Sequence, residues 1–279
     1  MAGTQFTIVT PCKGRRRYLE RALPTFRIQA SCTVVVVDYD CPDGTAEWIG
    51  ATYPDVQVVK VREAPVFNLS RSRNLGAAVA TTPWLVFCDA DNMLDPAFTR
   101  RIASVARPGT FLRAVFQGDQ GLQSRQVPLV CETAVFAALG GYDDAIEGWG
   151  PEDLELSRRL NQHGLAPLYF PMALVTVVEH EDSERTRFYT QDQRLSRLVG
   201  HYYVRVKERY YATRGLDFTD AQRYGTYRRI REVVTTATSA EGGSEALYAV
   251  DVPGADPPWT AHLRAADILR SRVPPAPTR

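Results

Sequence analysis

The stretch Thr33-Val34-Val35-Val36-Val37-Asp38-Tyr39-Asp40-Cys41-Pro42-Asp43-Gly44-Thr45 decides the fold. A continuous run of β-branched residues reads as a strand buried on both faces. Asp38 stands at its carboxyl end, Asp43-Gly44 reads as a turn, and residues 45–51 read as a helix. A carboxylate in that position can accept a hydrogen bond from a base edge, or it can cap the turn. Asp43 is expected to cap the helix.

Outward from this unit the pattern repeats. Residues 6–9 form a short β-rich run stopped by Pro11, and residues 18–26 have helical apolar spacing. Residues 56–61 read as a strand, 70–80 as a small-residue helix, and 84–88 as a buried strand ending in Asp89. Strands alternating with helices imply an α/β fold, Rossmann-like, with a mostly parallel central sheet flanked by helices. In such a sheet the ligand sits beyond the carboxyl ends of the strands. Pro11, Asp38 and Asp89 converge there.

From Thr110 the pattern changes. Apolar runs at 111–116 and 127–130 precede a turn-rich segment over 140–144. A helix is expected to start at Pro151 and end near Gly164, with Pro at its first turn and Gly just past its end. Residues 173–178 read as a strand ending at Glu179-His180, and no later strand is convincing. Helices rich in Arg and Tyr are expected over 183–214 and 217–236, a linker over 239–244 and a disordered tail over 274–279. The domain reading is 1–182 for the α/β domain and 183–279 for a helical C-terminal extension.

Bulk properties exclude several classes. A net charge of +1 on 279 residues gives no field to gather nucleic acid or an anionic membrane. No apolar run approaches the ~20 residues of a membrane span, and the N-terminus reads as a strand followed by a basic loop, the reverse of a signal peptide. Five cysteines without CxxC spacing fit a reducing compartment better than a disulfide or zinc framework. The expectation is a cytoplasmic protein, with a peripheral membrane position left open.

Five further features carry chemistry. Asp89-Ala90-Asp91, at the end of a buried strand, can reach a ribose with one carboxylate and a divalent cation with the other. Ser70-Arg71-Ser72-Arg73-Asn74 opens a helix; its arginines can hold a phosphate or fix the Asp-rich loops, or the motif is an N-cap Ser with solvated arginines. Lys13, Arg15, Arg16 and Arg17 follow the first strand on the same edge. Gly148-Trp149-Gly150-Pro151-Glu152-Asp153 combines glycines that let backbone approach a ligand, a flat Trp face that can stack on a sugar or fill a core, and acids in a helix's first turn. His180, a lone imidazole at a strand end, is either structural or a metal ligand.

The order of these motifs resembles family 2 glycosyltransferases of the GT-A fold. The segments VDYDCPDGT, SRSRNLGAA and FCDADN carry the likeness. The block GGYDDAIEGWGPEDLELSRRL is similar to the carboxyl-terminal part of the β-galactosyltransferase and N-acetylgalactosaminyltransferase group, through its WGxED pattern. The resemblance covers residues 5–182. It implies a hexosyl- or N-acetylhexosaminyltransferase that moves a sugar from a nucleotide-diphosphate donor, UDP by analogy, to a hydroxyl of a glycan or small molecule, with inversion. It implies donor contacts from Pro11, Lys13, Arg15, Asp38, Asp40, Arg73, Asp89 and Ala90, with Asp38 on the base and Asp89 on the ribose. Mn2+, or Mg2+, would be held by Asp91 and His180. Asp153 would be the general base, with Glu152, Trp149 and Gly150 on the acceptor or sugar. Two positions depart from the family: Tyr39-Asp40 stands where many relatives have Asp-Gly, and Pro151 where Gly or Ala is common. The main rival is a nucleotidyltransferase, which wants a glycine-rich loop after the first strand; Cys12-Lys13-Gly14-Arg15-Arg16 has one glycine. A non-catalytic nucleotide-sugar-binding subunit is the third class. The C-terminal helices are candidates for covering the acceptor, forming a homodimer or lying on a membrane.

Overall fold

The computed structural model describes residues 5–118, 121–179, 187–189, 192–239 and 245–271. His180, most of the expected linker and the 274–279 tail lie outside them. The chain divides into two compact units: Met1–Tyr142 with Asp153–Glu184, and Asp143–Glu152 with Arg185–Arg279. A division in sequence at residue 182 therefore does not capture residues 143–152, which group with the C-terminal unit.

The first unit begins with the expected alternation: β1 (Phe6–Cys12), α1 (Arg16–Arg27), β2 (Cys32–Tyr39), α2 (Thr45–Thr52), β3 (Gln57–Val61), α3 (Leu69–Ala78) and β4 (Trp84–Phe87). It continues with β5 (Asn92–Leu94), α4 (Phe98–Ala103), β6 (Thr110–Gly118), β7 (Gly121–Glu132), α5 (Thr133–Ala138), α6 (Glu152–Gln162), β8 (Ala166–Pro171) and β9 (Val175–Val177). Seven strands form one sheet in the order β3-β2-β1-β4-β7-β6-β8. Only β7 runs antiparallel to its neighbours. The order reverses at β1, so the crevice beyond the ends of β1 and β4 is where such a sheet receives a ligand.

The run Val34–Val37 fits because the sheet is covered on both sides. Val34 and Val36 join Ile8, Leu19, Leu23, Phe26 and Ile49 in one apolar layer, while Val35 and Val37 join Val9, Phe87, Phe136 and Leu160 in the other. Period-two alternation separates the two sets, and both find apolar partners. Gly76 lets α3 lie close on the sheet: a Cβ there would clash with the Val9 side chain.

Three departures have local causes. Pro11 lies inside β1 rather than ending it: the pairing with β4 stops at Val9, and Pro11 is matched only with Val37 on the other side, so no ladder bond needs its missing N–H. The unexpected β8 is an edge strand with prolines at its second and last positions, where proline is tolerated. The unexpected hairpin in the second unit, β10 (Leu247–Asp251) with β11 (Thr260–Arg264), buries only Val250, Ala261 and Leu263 of its ten residues. That is too little apolar alternation to read in sequence.

The second unit otherwise consists of α7 (Gln193–Arg214), α8 (Asp220–Thr238) and α9 (Ala265–Arg270). The Asp192 side chain caps α7 by accepting from Leu195 N–H, and Gly215 in the left-handed region ends it. Thr219 and Gln222 form a reciprocal capping box on α8. Within this unit the segment 143–152 is pinned to the helices. The fully buried Asp143 carboxylate accepts from Tyr203 Oη at 2.7 Å and Lys207 Nζ at 2.6 Å. Tyr227 Oη donates to the Glu147 carbonyl at 2.6 Å, and Arg231 pairs with the Glu147 carboxylate at 2.7 Å. Two glycines permit close contact: a Cβ on Gly148 would meet Ser196 Oγ at 2.5 Å, and one on Gly200 would meet Pro151 Cδ. Among the described residues no helix is long and apolar enough to cross a membrane.

Removing one partner of a buried ion pair leaves the other charge without compensation. Lys207→Met is therefore expected to destabilise the protein by about 3–5 kcal/mol. Urea denaturation followed by tyrosine and tryptophan fluorescence would register this as a lower midpoint; an unchanged midpoint would show that Asp143 does not depend on Lys207.

Candidate active site

The carboxyl ends of β2 and β4 and the amino end of α6 carry the acids singled out in sequence. Asp38 ends up as a cap. Its Oδ1 accepts from Cys41 N–H at 2.8 Å and its Oδ2 from Ala46 N–H at 2.7 Å, inside the first turn of α2. Of the two roles open to it in sequence, these bonds describe capping. Asp43, expected to cap that helix, instead accepts from Arg16 N–H at 3.3 Å, and Gly44 in the left-handed region is the N-cap residue. Asp38 has taken the cap because its strand-end position points both oxygens at the turn.

Asp40 explains one departure from the family pattern. Its φ of 51° lies in the left-handed region, which glycine adopts freely and Asp tolerates better than most residues. Its Oδ2 accepts from Ala64 N–H at 3.1 Å, which ties the end of β2 to the loop after β3. Lys13 reinforces the same junction from β1. Its buried Nζ donates to the carbonyls of Tyr39, Asp40 and Ala64 at 3.1, 2.9 and 2.8 Å. Three carbonyls match the three ammonium protons, so Lys13 shapes the rim. Pro11 and Ala90 are buried in the walls of this rim.

Arg73 is the centre of the site. Asn68, not Ser70, caps α3 through its side chain at Arg71 N–H, which sets the third buried turn position at Arg73. Its guanidinium is 0% exposed and donates through Nη2 to Asp89 Oδ1 at 2.9 Å and through Nη1 to Asp153 Oδ1 at 2.7 Å. Of the alternatives open in sequence, this is the fixing of Asp-bearing loops. The Tyr142 ring lies beneath the guanidinium, 5.0 Å from Cζ, and Tyr142 Oη donates to the same Asp153 Oδ1 at 2.9 Å. Burial, followed by the Asp153 charge, pushes the Tyr142 hydroxyl well above its ordinary pKa, so it remains a donor. Both hydrogen bonds to Asp153 fall on one oxygen.

Asp89 keeps 42% of its side-chain surface open. Its carboxyl group still lies among enough protein atoms for burial to raise its pKa, with Arg73 opposing and the charges of Asp91 and Asp153 adding to the rise. Asp91 is 8% exposed; Asn92 Nδ2 donates to its Oδ1 at 3.0 Å, and Arg15 Nη1 stands 3.8 Å from its Oδ2. Three carboxylates thus share a small region with the guanidiniums of Arg73 and Arg15. Among the described residues no group of three His, Cys, Asp or Glu side chains is gathered around one point. His180 lies outside them, but β9 pairs antiparallel with β5, and Val178 N–H donates to the Asp91 carbonyl at 2.8 Å.

Tyr142, Asn74 and Asn92 are site residues that lie within the quoted motifs but have no role assigned from sequence. Asn74 holds Tyr142 in both directions: its Oδ1 accepts from Tyr142 N–H at 2.8 Å and its Nδ2 donates to the Tyr142 carbonyl at 2.9 Å. Gly141, with φ +70°, makes room, since a Cβ there would stand 2.5 Å from Asn74 Oδ1. Arg159 of α6, paired with Glu155, donates to the Gly141 carbonyl at 2.7 Å. The sequence clue was the double glycine before Tyr142.

The remaining expected residues, Trp149, Gly150 and Glu152, belong to the second unit. The Arg197 guanidinium lies 5.6 Å from the Trp149 ring centroid, and Glu152 is 7% exposed. The glycines flanking Trp149 serve packing within that unit: Gly148 admits Ser196, and a Cβ on Gly150 would press on Ile146 at 2.9 Å.

Residues 7–119 match the family model described as glycosyl transferase family 2, and residues 128–191 match the one described as the N-terminal domain of galactosyltransferase. No curated protein matches the sequence. S. aureus TarS 1–349 in complex with UDP-GlcNAc is a structural neighbour with a TM-score of 0.58 at 12% identity, covering 82% of this chain and 73% of that one. The mannosyltransferase PcManGT from Pyrobaculum calidifontis, in complex with GDP-Man and Mn2+, gives a TM-score of 0.55 at 16% identity, over 87% of this chain and 78% of that one. At these identities the likeness is one of fold. Residues 7–119 are thus similar to glycosyl transferase family 2, and the fold is the GT-A fold of these neighbours.

Proposed function

We propose that this glycosyltransferase moves a sugar from a nucleoside-diphosphate donor, UDP-linked by preference, to an acceptor hydroxyl with inversion, and that Asp153 is its base. One observation carries the reading: Arg73 and Tyr142 anchor Asp153 through Oδ1, and the same Arg73 holds Asp89 of the Asp-Ala-Asp motif. A base must be held still and keep a basic atom available. Here Oδ1 is the anchored atom and Oδ2 the reactive one.

The acceptor hydroxyl gives its proton to Asp153 Oδ2 as its oxygen attacks the anomeric carbon. The bond from that carbon to the diphosphate oxygen breaks on the opposite face, so an α-linked donor yields a β-glycoside. Arg73 and the amino end of α6 face the Asp153 carboxylate and fix its position. Asp89 takes the ribose, and Arg15 stands near enough to Asp91 to meet the diphosphate. On the acceptor side we assign Trp149, Gly150 and Glu152, which directly precede Asp153 in the chain.

The acids suit a hard divalent cation such as Mn2+ or Mg2+. Asp89 and Asp91 are oxygen donors whose mutual repulsion contributes to raising the Asp89 pKa, and such ions are commonly held by one or two carboxylates with substrate phosphates. Asp91, with His180, would hold the ion. When bound, it supplies positive charge that stabilises the departing diphosphate.

Asp153→Asn should leave donor affinity near the native value while kcat falls by about 10²–10⁴; native turnover by this variant would remove Asp153 from its role. Tyr142→Phe keeps the packing and deletes one of the two anchors. It is expected to lower kcat by roughly 10- to 100-fold with little change in KM, because the base loses orientation rather than identity. Chelation followed by calorimetry with UDP-sugars should abolish tight donor binding, and added Mn2+ should restore it. Released nucleoside diphosphate is the expected product; pyrophosphate would indicate nucleotidyl transfer instead.

A further inference from the structure

The ends of β1 and β2 bring together two thiols for which sugar transfer has no use. Cys41 occupies the turn after β2. Gly14 N–H donates to its Sγ at 3.2 Å and the Thr45 hydroxyl donates at 3.1 Å. The Cys12 thiol, fully buried at the end of β1, lies 3.4 Å from the same Thr45 Oγ1, so one hydroxyl stands beside both sulfurs. Donors converging on one sulfur stabilise its anion. Hydrogen bonding by the Cys12 side chain is the largest cause that lowers the Cys41 pKa, to about 6; burial opposes it, and Thr45 and the backbone N–H groups of Asp43 and Gly14 assist. Cys41 is only half-buried, so a small reagent can reach it.

We propose that Cys41 and Cys12 form a thiol pair that hydroperoxides oxidise to a disulfide, which makes this rim of the sheet a covalent modification site. The Cys41 thiolate attacks one peroxide oxygen and the O–O bond breaks, giving Cys41 sulfenic acid and alkoxide or hydroxide. The Cys12 sulfur then attacks the Cys41 sulfur; the hydroxyl group leaves, the Cys12 proton is taken up, and the S–S bond forms. In sum, two thiols and one hydroperoxide give one disulfide, one water and the alcohol of the peroxide, or a second water when the oxidant is hydrogen peroxide. The division of roles follows from the surroundings: Cys41 is the accessible thiolate and Cys12 the buried partner across the shared Thr45 hydroxyl.

The other cysteines serve as internal controls. Cys32 is also half-buried, but burial pushes its pKa up to about 12, and Cys88 and Cys131 are buried with raised values. The readout is sulfur chemistry, so the proposal holds or fails separately from the donor and base assignments above.

The test uses the full chain, reduced, freed of reductant and treated briefly with hydrogen peroxide. Free thiols are then blocked, and the protein is digested without reduction for mass spectrometry. The expected product is a peptide pair linked through Cys12 and Cys41 that reductant separates. In Cys12→Ala the reaction should stop at Cys41 sulfenic acid, which dimedone traps; Cys41→Ser should give neither product. On the untreated protein, iodoacetamide should alkylate Cys41 at least roughly tenfold faster than Cys32. Equal labelling of the two, a peroxide-treated chain with Cys41 still reduced, or a link between Cys32 and Cys88 in place of the expected one would each overturn the proposal.

Discussion

A guanidinium cut off from water must be neutralised where it stands, and the first unit is arranged around meeting that demand for Arg73. Asp89 comes to it from the end of β4 and Asp153 from the start of α6, residues far apart in the chain. The Tyr142 ring closes the remaining side. Desolvating the charges offsets most of their attraction, so a cluster of this kind contributes more to geometry than to net stability. Its effect is to fix the separation and aim of two carboxylates that belong to different structural elements.

The surroundings reinforce the same geometry. The two-way bond between Asn74 and Tyr142 places the phenol, and Arg159 holds the glycine turn that delivers it. Lys13 and Asp40 do comparable work at the ends of β1, β2 and β3, using backbone carbonyls and an N–H as partners. The rim of the sheet is therefore built from charged side chains whose hydrogen bonds face inward, and the acids it presents are those left over after this framing.

Much of the parallel half of the fold was legible because its strands are buried on both faces and announce themselves as unbroken β-branched runs. Residues 33–37 and 84–88 could be read almost to the residue. The acids at their ends were legible for the same reason. What escaped were features with a weak local signature. The edge strand β8 carries prolines, and the β10–β11 hairpin buries little. Position in the chain also gave no way to tell whether Asp38 meets a ligand or its own helix, since one strand-end carboxylate serves either purpose. The Tyr142 contact depends on residues 68 positions apart meeting in space, and the double glycine ahead of it was its only trace in the sequence.

The grouping of residues 143–152 with the C-terminal unit bears on how this protein can be recombined. Asp143, Glu147, Gly148 and Pro151 each match a partner on α7 or α8, namely Lys207, Arg231, Ser196 and Gly200. Inherited or engineered exchange of the tail alone would separate these partners and strand a buried acid. The workable cassette is discontinuous: ten residues from the middle of the gene must travel with the last third. Substitutions in the two pieces should therefore be accepted in matched pairs, while the sheet that flanks them on both sides in sequence varies on its own schedule.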